Sequence, residues 1–130
     1  MSDPKVGTFE DLVELTPKST RPITNRLNEL LLSVDENACF VVRLGDRAET
    51  YGVGPKKMSE GYCYILLHSD WVNLGFYKGA ELPDPTGLLQ GTGAKMRHIK
   101  MRVLADCHNP HVHDLIVVAL KERKAALGQS

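Results

Sequence analysis

The densest grouping of chemically capable residues in this 130-residue chain is Gly91-Thr92-Gly93 followed by Lys95, Arg97, His98, Lys100 and Arg102. Glycines let backbone N–H groups come close to a ligand, and the basic side chains after them supply charge. A glycine turn beside fixed cations is one way proteins hold phosphate or carboxylate groups. It is not a P-loop, because the lysine–hydroxyl spacing is missing and strand-forming residues follow where a helix would be needed. The structural alternative is a tight turn leading into a strand with a solvated basic face. Lys56, Lys57 and Lys78 join the cluster if the preceding hairpin folds beside it.

Cys107, His108, His111, His113 and Asp114 offer thiolate, imidazole and carboxylate ligands of the kind that suit zinc or iron. If a helix begins at Pro110, His111 and His113 point about 200° apart around its axis. The smaller set Cys107, His108 and His111 is then the metal candidate, against a polar helix start with scattered histidines. For catalysis, Cys63 lies in YCYILL and reads as a core thiol, Asp84 in DPTG reads as a cap, and nothing brings Glu49 and Glu81 together. No nucleophile, base and acid share a recognisable spacing, so the chain reads as non-enzymatic. The aromatic residues Tyr51, Tyr62, Tyr64, Trp71, Phe76 and Tyr77 fall on the central strands. There they build core or line a pocket opening on the glycine-rich loop.

Composition bounds these readings. Sixteen basic and sixteen acidic residues cancel, so no global field draws the chain to nucleic acid or to an anionic membrane. Three cysteines, Cys39, Cys63 and Cys107, sit in or beside apolar runs and read as free thiols of a reducing, cytoplasmic compartment. The N-terminal residues lack a secretory pattern, and no apolar run is long enough to span a bilayer.

The elements that must position these residues follow from their periodicity. Residues 1–7 read as a loose tail and 8–128 as one domain. Thr8 with Asp11 forms a capping box for a short helix ended by Pro17. Ser19 or Thr20 caps a second helix whose Ile23, Leu27, Leu30, Leu31 and Val34 make one apolar stripe. Cys39–Leu44 and Glu49–Val53 read as strands, with Lys56 and Lys57 in an exposed loop after them. Tyr62–Leu67 and Trp71–Tyr77 form a hairpin through Ser69-Asp70, with imperfect alternation that implies a bulge or a strand covered on both faces. Asp84-Pro85 caps a helical turn whose Leu88 and Leu89 pin the loop, with Gly91 as its stop. His98–Leu104 alternates as a half-buried strand, Lys100 and Arg102 sharing one face. Asn109-Pro110 opens a long helix buried through Val112, Leu115, Ile116, Ala119 and Leu120. Lys121, Arg123 and Lys124 then complement its dipole, and Val117 and Val118, off that stripe, suit either a more deeply packed helix or a homodimer contact.

The segments YGVGPKKMSEGY, VNLGFYKGAELPDPTGLLQGTG and KMRHIKMR resemble those of the YdhG-like family of small bacterial domains, largely of unknown function. The resemblance is specific over residues 51–102. It implies an α+β fold with a sheet of about five strands. The order of elements read above, two N-terminal helices, a run of antiparallel strands and one C-terminal helix, places the helices on one face of a small antiparallel sheet. One member described as a frataxin-like iron chaperone for iron–sulfur cluster assembly implies iron as an alternative cargo. The expectation is a YdhG-like binding module with no cofactor, taking a small anionic molecule or an acidic protein partner at Gly91–Arg102. The alternatives are the iron chaperone and a structural, dimerising protein.

Overall fold

The computed structural model describes residues 6–129. Its strands β1 (Val6–Gly7), β2 (Cys39–Arg43), β3 (Ala48–Gly52), β4 (Gly61–Leu67), β5 (Val72–Phe76) and β6 (Arg97–Met101) form one antiparallel sheet in chain order. Helices α1 (Phe9–Leu15) and α2 (Arg21–Val34) precede the central strands. A single turn, α3 (Lys57–Glu60), links β3 to β4, and α4 (Pro110–Ala126) closes the chain. This is the α+β class expected, with a two-residue strand added to five longer ones. Residues 1–5 of the anticipated tail lie outside the described residues. Val6 and Gly7 are not loose, since they pair with Arg43 and Val42.

Period-two alternation decides which side chains meet the helices. Val42, Glu49, Ile65, Leu74 and Ile99 lie on one row across the sheet and are buried beneath α1, α2 and α4. The helices bring Leu12, Leu27, Leu31 and Ile116 to the same core. Burying side chains of this size contributes about 1.5–3 kcal/mol each. The imperfect alternation of the hairpin has the anticipated cause: the register shifts at Tyr51/Gly52. That shift frees Tyr62 to turn toward α2, where its hydroxyl donates to Asp35 Oδ2 at 2.8 Å.

Local signals hold where the relevant contacts are local. Thr8 and Asp11 form the capping box of α1, and Asn109 accepts from the His111 N–H to cap α4. Three local expectations change. Thr20 occupies the N-cap of α2, but its hydroxyl donates to Pro17 O and makes no capping bond. Asp84 caps no helical turn; its two carboxylate oxygens accept from the Leu88 and Leu89 N–H groups, both at 2.9 Å, and Gly87 turns the chain at φ +67°. The two leucines still pin the loop to the core. β6 ends at Met101 because the Asp106 carboxylate takes the backbone N–H groups of Arg102 and Val103, which curls the chain into a 3-10 segment. Arg102 therefore lies just beyond the strand it was expected to share with Lys100, and is exposed.

Among the described residues, no helix is long and apolar enough to cross a membrane.

Candidate functional site

The sheet face turned away from the helices carries a cleft. Its floor comes from alternate residues of the central strands: Ala48 and Thr50 on β3, Tyr64 and Leu66 on β4, with Tyr77 just beyond β5. Arg43 and Asp46 flank it at the β2–β3 turn, Lys57 reaches it from α3, and Met96 walls it from the glycine-rich segment. Its volume is about 220 Å³. Tyr64 lies flat across the sheet because its register partner is Gly75: a Cβ there would sit 1.8 Å from Tyr64 Cζ. The rings of Tyr64 and Tyr77 then meet at 5.0 Å.

A polar chain runs through the middle of the cleft. Arg43 Nη1 donates to Thr50 Oγ1 at 2.8 Å, and Thr50 Oγ1 and Tyr77 Oη lie 2.9 Å apart. Two hydroxyls carry two protons, and their mutual bond uses one. Thr50 Oγ1 already accepts from Arg43, so the remaining hydroxyl proton has no acceptor among the described residues. No carboxylate lies within ion-pair distance of Arg43 or Lys57 among them either. Burial pushes the Tyr77 phenol up, partly offset by the Thr50 bond and the Arg43 charge, so it stays protonated as a donor at neutral pH.

The expected site residues are brought together only in part, Gly91 and Gly93 lying against Arg97. Arg97 Nη1 donates to Gly93 O at 2.6 Å and to Met96 O at 2.7 Å, so one nitrogen of its guanidinium is held by carbonyls of its own loop. Gly91 turns the chain at φ +124°, whereas a Cβ on Gly93 would meet open space. Lys95 and Arg102 are exposed. His98 and Lys100 do face the same side of the sheet as the cleft, but Lys100 Nζ rests 4.3 Å above the Trp71 ring. Trp71 in turn stacks on His68 at 4.5 Å. Burial first, then Lys100 and His68, hold His98 below the ordinary imidazole value, leaving it neutral at pH 7.

The proposed metal ligands are not gathered. Among the described residues, no three His, Cys, Asp or Glu side chains group at one point. Cys107 is buried and its thiol is pushed up to about 11, by burial and then Asp106, against the pull of Arg26. His108 is exposed, and His111 lines a separate groove with Pro83 and Val118. Cys63 is a core thiol, raised by burial alone.

Sequence reasoning missed three residues. Arg43 and Thr50 sit at alternate strand positions, which signals a shared face only once the β2–β3 register is known. Arg123, expected only to complement the dipole near the end of α4, is buried and donates to Ser59 O at 2.7 Å and to Glu122. It thereby ties down the turn that carries Lys57. Glu49 was singled out only as half of an unlikely carboxylate pair. It lies on the opposite face of β3, is 0 % exposed, and leaves Oε2 without a partner.

Tyr51 Oη lies 2.6 Å from Asn28 Oδ1 and also contacts Glu49 Oε1. One phenolic proton serves one of these contacts, and a protonated Glu49 serves the other. Burial is what raises Glu49 to about 7, with the Tyr51 bond opposing and the charge of Glu10 assisting.

Comparison with known proteins finds no family model, no curated protein and no solved structure that matches this chain. The functional reading therefore rests on the chemistry of the cleft.

Proposed function

We propose that this protein is a non-enzymatic binding module for a small oxyanion, carboxylate or phosphate, held in the cleft on the open sheet face. The observation that carries this reading is the donor surplus along Arg43, Thr50 and Tyr77: a guanidinium and one unclaimed hydroxyl proton that form no ion pair with a carboxylate among the described residues, Asp46 at the turn included. Lys57 at one end of the cleft adds charge. Donors left without acceptors at a partly enclosed site carry a desolvation penalty that an anion relieves. The YdhG-like resemblance remains part of this reading, with the site moved from Gly91–Arg102 to the neighbouring strands and Met96 kept as a shared wall.

The test is a calorimetric titration of the tag-free protein with acetate and with inorganic phosphate, repeated on Arg43→Gln, Tyr77→Phe and Lys95→Ala/Arg97→Ala. Binding that weakens at least tenfold in the first two and holds in the third supports the cleft. Loss only in the third returns the site to the glycine-rich loop. An anaerobic ferrous titration in parallel addresses the cargo that the family resemblance implies; saturable iron binding with no anion binding would replace this proposal.

A further inference from the structure

The cleft is larger and more apolar than a bare oxyanion requires. An engineered apolar protein cavity of about 150 Å³ accommodates benzene, so about 220 Å³ has room for a six-membered ring and a carboxyl group. Ala48 and Leu66 are direct neighbours across the β3–β4 ladder, and Tyr64 extends the same surface over Gly75. Met96, 40 % exposed, stands beside this floor. Its unbranched thioether can fold over an apolar guest of varied shape.

The polar groups are unevenly distributed around that floor. Arg43, Thr50 and Tyr77 make one donor cluster in the middle, and Lys57 lies beyond the C-terminal end of β3. Asp46 lies before its N-terminal end, in the β2–β3 turn. A five-residue strand places these two ends about 15 Å apart. A guest with one anionic group meets the donors and leaves its body on the floor. A second carboxylate directed at the turn meets the like charge of Asp46 instead. Inorganic phosphate satisfies the donors but leaves the apolar floor wet.

We infer that the ligand class is a monocarboxylate with a compact apolar body, aryl or cycloalkyl, of about ten non-hydrogen atoms, with its carboxylate on Arg43 and Tyr77 and its body over Ala48, Tyr64 and Leu66. This inference rests on the oxyanion reading above and narrows it. Selectivity then comes from the floor and charge from the donors, so the two separate by mutation. Ala48→Leu fills the floor without touching a donor, and Arg43→Gln removes charge without touching the floor.

The experiment titrates the full chain with phenylacetate, cyclohexylacetate, acetate, succinate and inorganic phosphate at one ionic strength, following backbone amide NMR shifts. The expected result is phenylacetate and cyclohexylacetate binding at least tenfold tighter than acetate, succinate or phosphate, with shifts centred on residues 43–50 and 64–77. Ala48→Leu should shrink the phenylacetate-to-acetate preference, and Arg43→Gln should weaken phenylacetate at least tenfold. If acetate or phosphate binds as tightly as phenylacetate, the oxyanion reading stands and the apolar-body inference falls. If succinate binds tightest, the inference also falls. Binding of phenylacetate that neither variant alters places it elsewhere and overturns the inference. If none of the five binds, both readings fall together. Amide spectra of each variant verify the fold, and because the two variants perturb different walls, one misfolded variant leaves the other to decide.

Discussion

Replacing Glu49 by glutamine should make the protein more stable, by an amount that grows as pH rises from about 4.5 to about 7. In the unfolded chain this carboxyl titrates at its ordinary value of 4.5, and in the fold at about 7. Between those values the folded state holds a proton that the unfolded state has released, so stability falls as pH rises from about 4.5 to about 7 and is level beyond. The difference corresponds to about 3 kcal/mol at 1.36 kcal/mol per pKa unit. Below pH 4.5 both states are protonated and the penalty vanishes.

Glu49→Gln keeps the shape, never ionises, and can donate an amide hydrogen to Tyr51 Oη, as the neutral carboxyl does. The assay is urea unfolding of both proteins at pH 4.5, 6 and 8.5, with equal m-values required for comparison. Titrations of other groups, His98 included, cancel in the difference between the two proteins. The variant should gain on the wild type by about 3 kcal/mol across that range, with most of the change before pH 7. A difference constant within about 0.5 kcal/mol would refute the buried neutral carboxyl and the proton count around Tyr51.

Two further outcomes concern the walls of the cleft. Gly75→Ala should destabilise by about 1–3 kcal/mol in chemical denaturation, because its Cβ would collide with the Tyr64 ring, whereas Gly93→Ala, which meets nothing within 4 Å, should be neutral. Equal effects would contradict the placement of Tyr64. Arg123→Met keeps the buried stem but loses the bond to Ser59 O; it should lower stability by about 2 kcal/mol and raise amide hydrogen exchange across 56–60, and unchanged exchange there would remove Arg123 as the anchor of the Lys57 turn.

Much of the architecture was legible because its causes are local. The Thr8–Asp11 cap, the apolar stripe of α2 and the buried face of α4 each depend on contacts within a few residues, and all three appear where periodicity places them. The hairpin and its irregularity were legible for the same reason. The candidate site was not. Its residues come from β2, β3, α3, β4, the end of β5 and the segment before β6, and no spacing rule spans Arg43 to Met96.

Tertiary structure also reassigned side chains whose types had suggested a role. Arg97 read as an anion ligand, and the loop turns two of its own carbonyls onto Nη1 of that guanidinium. Arg123 read only as a complement to the helix dipole, and packing also brought α3 within its reach. Glu49 stands between Ala48 and Thr50 in a strand with no other charge. It is buried because the β2–β3 register pairs it with Val42, on the helix side, and because its neighbour Thr50 must face the cleft. Local sequence determined which segments become helix and strand, since hydrophobic period and capping act within a few residues. Only packing decided which polar groups lie free, since an unmet donor or a buried proton depends on every strand and helix around it.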